Sequence, residues 1–298
     1  MQALLDAIAR ATPGPDACRI FHGRGGLFPG CEHLSLDWYA PVWVLTSFQP
    51  LSDEALHRVQ QALAQRPQAL NWVYQSRDSG LHRSETRLMA GSVPEPHVVT
   101  EQGARYRVHV LKGQNHGLFL DMACGRQWLH EHAQARRVLN LFAYTCAFSV
   151  AALQGGAAEV VNVDMAAGAL AIGQLNHQIN GLAGARFLAH DLFKSWGKVK
   201  RMGPYDVVVA DPPSYQKGSF VAAKDYARVV RRLPELLAPG GQALLCLNAP
   251  EMTSQFLLDL VAAEAPDLRF VQRLANPAEF TDVDSERALK VLLFRLPD

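Results

Sequence analysis

A doubly wound α/β sheet is the fold this sequence predicts for its C-terminal two thirds, and three observations predict it. From Arg136 onward, short runs rich in Val, Leu and Ala alternate with stretches of helical character. Polar residues close the first three of those runs: Asn140, Asp164 and Asp191. A fourth run, YDVVVA, passes directly into Asp211-Pro212-Pro213-Ser214-Tyr215. A parallel sheet gathers such strand ends at one edge, where open α/β folds bind their ligands.

Each element follows from local chemistry. Residues 31–48 (CEHLSLDWYAPVWVLTSF), rich in aromatic and branched side chains, read as two strands about a turn at Ala40-Pro41. Ser52 caps a helix running to about Arg66, with Asp53 and Glu54 set against its positive end. Residues 70–75 make a further strand, followed by a polar loop and then Pro94 and Pro96. These elements define a small α+β domain over 1–98, a candidate for substrate recognition. The remainder, 99–298, opens with a hairpin of 104–111 and 117–121. Strands are then expected at 137–142, 159–164, 185–189, 205–210 and 242–248, with Pro239-Gly240-Gly241 turning the chain into the last of them. Residues 269–274 and 288–295 close the sheet as an antiparallel hairpin, giving a seven-stranded, mostly parallel sheet.

Composition narrows the functional classes. The chain has 298 residues, is 49% hydrophobic and carries a formal net charge of +1. A charge so near zero gives no overall attraction to nucleic acid, so any basic surface has to be local. No apolar run reaches the length of a membrane span, and the N-terminus lacks a secretory pattern. Five cysteines, none in a C-x-x-C pair, point to a reduced, cytoplasmic setting. His130-Glu131-His132 lies near Cys124, but residues two apart do not share a helix face, so no metal is expected.

The strand-end residues specify a cofactor. An acid ending the second strand of such a sheet, about 20 residues past the first, accepts both hydroxyl protons of a ribose; Asp164 fills that place. Asp191, ending the third strand, would accept from an adenine amino group. The turn Leu141-Phe142-Ala143-Tyr144-Thr145-Cys146 has no G-x-G-x-x-G to admit a pyrophosphate. S-adenosylmethionine, an adenosine without phosphate, suits this pattern better than a dinucleotide. Beside it, Pro212 and Pro213 lack backbone N–H and fix an extended path, leaving carbonyls next to the Asp211 carboxylate. Such a place receives a flat group bearing N–H donors, such as a nucleobase, with Tyr215 to stack on it.

The run LNLFAYTCAFSVAALQGGA, followed by VVNVDM, NHQINGL, HDLF and YDVVVADPPSY, resembles a bacterial family of class I S-adenosylmethionine-dependent methyltransferases with a Rossmann-like fold. That family includes enzymes modifying large-subunit ribosomal RNA at cytosine-5 or guanine-7. The resemblance extends to Gly113-Gln114-Asn115-His116-Gly117-Leu118-Phe119-Leu120-Asp121, similar to a G-Q-x-x-G-x-F-L-D segment. Further upstream it reaches Gly26-Leu27-Phe28-Pro29-Gly30 with Leu36-Asp37. It implies a transferase for RNA methylation in rRNA processing, with S-adenosyl-L-methionine as cofactor, RNA as substrate, and neither membrane nor metal. By this resemblance Asn140, Phe142, Ala143, Tyr144 and Thr145 surround the methionine part of the cofactor. Asp164 holds the ribose and Asp191 the adenine amino group, with their neighbours Met165 and Leu192. Phe119 and Asp121 close over the cofactor, and Asp211 faces both cofactor and acceptor. The chain departs from the family in three places. Cys146 stands where glycine is frequent, and Ala123 where some members carry an arginine, a place Arg126 could take. The RNA-binding PUA domain that precedes the middle domain of the cytosine-5 enzymes has no counterpart in these residues.

The methylated atom turns on one position. Cytosine C5 needs a cysteine to add at C6. In the cytosine enzymes of this family that cysteine follows the fifth strand. Aligned through Met252-Thr253, its place falls on Asn248, while Cys246 lies two residues earlier, about 6–7 Å back along the strand. Cys246 is therefore expected in the core, and Asn248 at a base edge, as in the guanine-7 enzymes. The expected catalytic set is Asp211, Pro212, Pro213, Tyr215 and Asn248, acting on a ring or amino nitrogen, with guanine favoured. A methyltransferase for a protein amide or a small planar molecule is the alternative enzyme. Outside enzymes, the alternative is a non-catalytic RNA-binding or assembly protein that keeps the fold. Arg77, Arg83 and Arg87, like Arg228, Arg231 and Arg232, could contact phosphates but read first as solvated faces. His22-Gly23-Arg24-Gly25-Gly26 reads first as a turn, and Gly218-Ser219 as a loop that orders with substrate.

Overall fold

Short aliphatic strands and the helices between them settle into two units. The computed structural model describes residues 1–78, 83–216 and 220–298; Gly218 and Ser219, expected to form a substrate-ordered loop, lie outside them. One unit comprises Met1–Asp121 and Pro277–Asp284, the other Met122–Asn276 and Ser285–Asp298.

In the first unit α1 (Gln2–Arg10) precedes β1 (Cys18–His22), β2 (Leu34–Tyr39), β3 (Val42–Ser47), α2 (Asp53–Ala64), β4 (Trp72–Asp78) and β5 (Arg83–Ala90). The five strands form one sheet in chain order, with β3 and β4 parallel because α2 crosses between them. Ser52 is the expected cap: its Oγ accepts the Ala55 N–H at 3.2 Å. α1 and β1 are additional to the elements expected. The polar loop expected after residue 75 is in large part β5, polar because it is an edge strand.

The expected hairpin is displaced. It is built from β6 (His97–Glu101) and β7 (Ala104–Val108), not from 104–111 and 117–121. Gln102 and Gly103 both take positive φ, 50° and 81°, giving the two-residue turn whose twist matches paired strands. The hairpin belongs to the first unit. The Ala17 N–H donates to Thr100 O at 2.8 Å, and His97 Nε2 lies 3.0 Å from the carbonyl oxygens of Tyr39 and Ala40. The domain boundary expected at 98 therefore falls after Asp121, and a later segment, Pro277–Asp284, returns to this unit.

The second unit starts with α3 (Ala123–His132), then β8 (Arg137–Leu141), α4 (Ala147–Gln154), β9 (Glu159–Asp164), α5 (Ala167–Ile179), β10 (Ala185–Ala189), α6 (Leu192–Met202) and β11 (Tyr205–Ala210). Two short paired strands, β12 (Tyr215–Gln216) and β13 (Phe220–Val221), lead to α7 (Ala222–Val230) and α8 (Leu233–Leu236). β14 (Leu237–Leu247), α9 (Ser254–Glu264), β15 (Arg269–Arg273) and β16 (Lys290–Arg295) complete it. Seven strands form one sheet in the order β10-β9-β8-β11-β14-β16-β15. It is parallel from β10 to β14 and antiparallel beyond, the doubly wound sheet the sequence predicts. Val138, Val207, Val209 and Leu244 pack on one face, Leu139, Val161, Val208 and Leu245 on the other. Burial on both faces is why these strands read as continuous apolar runs. β14 begins earlier than expected, with Pro239-Gly240-Gly241 inside it; the Gly240 N–H donates to Pro297 O at 3.0 Å. Strand order reverses between β8 and β11, so the crevice at their carboxyl ends is the switch point at which such sheets bind ligands. Among the described residues no helix is long and apolar enough to cross a membrane.

Candidate functional site

The carboxyl ends of five parallel strands bring the expected residues to one edge of the second unit's sheet. β9 ends on Asp164 beside Ala189 of β10, and the His190 N–H donates to Asp164 O at 3.0 Å, so Asp191 follows immediately next door. The 142–146 turn leaves β8, Asp211–Tyr215 leaves β11, and Asn248 leaves β14. Asp211 begins where Ala210 pairs with Leu141 and Leu245.

The turn after β8 is held under strain. Phe142, Tyr144 and Cys146 have φ of 57°, 47° and 62°, left-handed conformations that cost a non-glycine residue about 1 kcal/mol or more each. Four hydrogen bonds over-determine it. Ala143 N–H donates to Val163 O (3.1 Å), Tyr144 N–H to Asp164 Oδ2 (2.8 Å), Cys146 N–H to Ala143 O (2.7 Å), and Asn176 Nδ2 to Thr145 O (3.0 Å). Cys146 can stand where glycine is frequent because Gly173 leaves room for it: a Cβ at Gly173 would lie 2.5 Å from Cys146 Sγ. Gly173→Ala is therefore expected to destabilise by about 1–3 kcal/mol. In a Cys146→Gly background the cost should drop by at least about 1 kcal/mol, a coupling that a double-mutant cycle of denaturant melts reads. Equal costs in both backgrounds would show that the two positions do not oppose each other.

Asn140 is spent inside the sheet. Its Nδ2 donates to Asn162 Oδ1 at 2.9 Å, across the β8–β9 register, and Asn162 Nδ2 donates to Ser149 Oγ at 3.0 Å. Ser149 Oγ meets His177 Nε2 at 2.9 Å, while His177 Nδ1 lies 2.7 Å from Gly173 O. A carbonyl only accepts, so Nδ1 carries the proton, Nε2 accepts, and the Ser149 hydroxyl donates. Burial lowers the His177 pKa and keeps the ring neutral, as this direction requires. The Asn140 side chain, expected beside the methionine part of the cofactor, thus locks β8 to β9 beneath the turn.

Asp164 accepts one backbone N–H on each oxygen, from Tyr144 and from Ala166, both at 2.8 Å. An ionised carboxylate has about four acceptor positions, so two stay available for a ribose diol. Asp191 caps α6, accepting the Phe193 N–H at 3.0 Å, and its other oxygen lies 3.3 Å from Lys194 Nζ. Met165 is exposed next to Asp164, and Leu192 is buried at the start of α6. The donor set fits S-adenosylmethionine: carboxylates suited to hydroxyl and amino groups flank a bulky turn with no glycine cradle for phosphate. Phe119 and Asp121, expected over the cofactor, belong to the segment that ends the first unit.

Past β11, Pro212 is buried and Tyr215 is 67% exposed. The Ala222 N–H donates to Ser214 O at 3.0 Å and fixes the segment's exit. Phe142, Phe193 and Tyr226 surround Phe220 with ring centroids 5.2, 6.3 and 6.1 Å away, an aromatic floor under the edge. The Tyr226 hydroxyl, fully buried, donates to Cys246 O at 2.9 Å, joining β14 to the helix behind Asp211. Cys246 is buried in the core, and Asn248 is exposed just past the strand. Sequence reading missed what anchors Asn248. Lys290 Nζ, buried on β16, donates to Ala249 O (2.7 Å) and Glu286 O (2.8 Å). The Glu286 carboxylate accepts from Ser254 N (2.5 Å) and its Oγ (2.9 Å), capping α9. A polar Lys in the otherwise apolar LKVLLF was the available signal.

The signals discounted in the sequence resolve locally. His130 Nδ1 lies 3.3 Å from Ala151 O and His132 Nδ1 2.7 Å from Trp128 O. Among the described residues no three His, Cys, Asp or Glu side chains gather to hold a metal. Arg228, Arg231 and Arg232 pair with Asp225, Glu264 and Glu235.

Similar proteins carry the same architecture. The chain is 32% identical over 248 residues, 79% of its length, to Ribosomal RNA large subunit methyltransferase I of Aeromonas salmonicida, and spans 62% of that relative. A Streptococcus mutans protein described as a SAM-dependent methyltransferase superposes with a TM-score of 0.86 at 25% identity, covering 99% of this chain and 81% of its own. A second solved protein, described as a methyltransferase complexed with SAH, gives 0.84 at 26% identity over 99% of this chain and 79% of its own. With the strand-end carboxylates in place and residues 18–295 matching the family as a whole, the chain belongs to the S-adenosylmethionine-dependent methyltransferases.

Proposed function

We propose that this chain methylates a nitrogen of an RNA base in large-subunit ribosomal RNA, guanine being favoured, with S-adenosylmethionine as donor. The observation that carries the reading is the sheet edge itself. Asp164 and Asp191 stand at one side of the β8–β11 crevice, Asp211–Tyr215 and Asn248 at the other. The names of relatives such as that from Aeromonas salmonicida support ribosomal RNA as the carrier.

S-adenosylmethionine supplies an electrophilic sulfonium methyl. The chain's own residues then have to hold an acceptor nitrogen in line with it. Asp211 and the Pro212 carbonyl accept from the N–H groups of a flat base, and Tyr215 offers its exposed face for stacking. Asn248 hydrogen-bonds another edge. Guanine N7 has a free lone pair, so no residue has to remove a proton before transfer. Rate then comes from orientation and a fixed polar site. Cytosine-5 chemistry would need an accessible thiolate, whereas Cys246 is buried among Val138, Leu244 and Val291.

Mass spectrometry of ribosomal RNA nucleosides from cells with and without the gene tests the substrate: one methylated base should disappear, and an unchanged set would overturn the reading. Cys246→Ala is expected to retain methyl transfer within about threefold, with a modest loss of stability from the small cavity. Abolished transfer in a folded Cys246→Ala protein would overturn the choice of nitrogen over carbon.

A further inference from the structure

Two arginines that sequence reading assigned to separate features converge on one ring of the first unit. The Arg24 guanidinium carbon lies 3.9 Å from the Phe48 ring centroid, and that of Arg77 lies 5.7 Å from the same centroid. Arg24 comes from the glycine turn, Phe48 follows β3, and Arg77 sits beside it on β4, where Ser47 pairs with Ser76.

The turn is rigidly made. A Cβ at Gly23 would lie 1.9 Å from Cys31 O, and one at Gly25 would lie 2.3 Å from Thr281 O. Gly26 takes φ +77°, and the Val283 N–H donates to Gly25 O at 2.8 Å. Only glycine fits on either side of Arg24, so the turn presents that one long side chain and fixes its root. Among the described residues the Arg24 guanidinium has no hydrogen-bond acceptor; its carbon sits over the Phe48 ring, and its N–H groups remain for a ligand. Arg77 is partly committed, with Nε donating to Gln75 Oε1 and Nη2 to Gln114 O. Two carboxylates share this neighbourhood: Asp37 is bound by Arg19, whose Nε and Nη2 reach its two oxygens at 2.6 and 3.3 Å, and Asp282 acts on Arg24 through its charge. Burial, then the Arg19 charge, lowers the Arg24 pKa against the pull of Asp282; burial lowers that of Arg77, opposed by Asp37 and reinforced by Arg24 and Arg19. Two guanidiniums over one aromatic ring, one of them with no hydrogen-bond acceptor, make a place suited to an anion.

We propose that Arg24, Phe48 and Arg77 form a phosphodiester-binding site for the backbone of the RNA substrate. The site rests on the reading of the chain as an RNA methyltransferase. Arg24 supplies the bidentate fork, Phe48 lies beneath its carbon, and Arg77 adds charge through its remaining donors. A local site of this kind supplies the basic surface that a net charge of +1 does not.

The test is a fluorescence-anisotropy titration of a labelled large-subunit ribosomal RNA fragment at increasing KCl, with calorimetry for S-adenosylmethionine. Arg24→Gln should weaken RNA binding about tenfold and lower the slope of log K against log[salt] by about 0.7–0.9, with cofactor affinity and melting temperature unchanged. Arg24→Lys should keep the slope while losing part of the affinity, since charge persists without the stacked fork. Wild-type RNA affinity and slope in Arg24→Gln would overturn the site and leave the methyltransferase reading standing. Parallel loss of cofactor binding would overturn it as a folding effect. Absence of RNA binding by the wild-type chain would overturn both.

Discussion

Asp211→Asn is expected to lower methyl transfer at least about 10²-fold while S-adenosylmethionine affinity stays within a few-fold of wild type. The substitution keeps size and shape but exchanges one acceptor oxygen for an N–H donor. Facing a base edge that itself presents N–H groups, that exchange turns an attraction into a repulsion. The base then loses the orientation from which its nitrogen can meet the methyl group in line. Cofactor contacts are expected chiefly from Asp164 and Asp191, one and two strands beyond β8, and the substitution leaves them in place. Pro212 is buried beside Asp211, so the segment keeps its path in the variant. Single-turnover transfer from radiolabelled donor to ribosomal RNA, beside calorimetric titration of the donor, separates the two quantities. An equal fall in both would make Asp211 chiefly a cofactor ligand and remove it from the acceptor site.

What could be read from the sequence was what local chemistry decides. β9 and β11 are buried on both faces and so read as mostly apolar runs without alternation. The acids that end β9 and introduce α6 stood out because packing alone seldom calls for a carboxylate at the close of such a run. The parts that stayed hidden depend on register or on long-range pairing. Asn140 looked like a ligand at a strand end; only the β8–β9 register shows it facing Asn162. β5 looked like a loop because an edge strand exposes polar side chains. The Gln102-Gly103 turn was too short a signal to relocate the hairpin, and no local pattern announces that Pro277–Asp284 rejoins the first unit. Lys290 acts on Ala249, and Arg24 on Phe48, across gaps that periodicity does not span.

Asp164→Ala should produce the largest loss of cofactor affinity, about 10²-fold or more, because this side chain has two tasks. Its oxygens each hold a backbone amide at 2.8 Å: Tyr144 in the strained turn and Ala166 ahead of α5. Hydrogen bonds to a charged acceptor contribute about 1.5–3 kcal/mol net each, nearer the lower figure here because Asp164 is only half-buried and water can enter. Tyr144 keeps its left-handed φ of 47° only while such contacts outweigh its cost. Removing the carboxylate thus releases the turn as well as the ribose contacts expected of the remaining lone pairs, and about 2.7 kcal/mol suffices for a 10²-fold change. Asp164→Asn should fall between wild type and alanine, since its amide keeps one acceptor oxygen but sets a donor against a backbone N–H. Calorimetry with S-adenosylhomocysteine reads affinity, and urea melts of the same variants read stability. If Asp164→Ala lost stability but bound within about threefold of wild type, the carboxylate would serve the turn alone and the ribose would have to be held elsewhere.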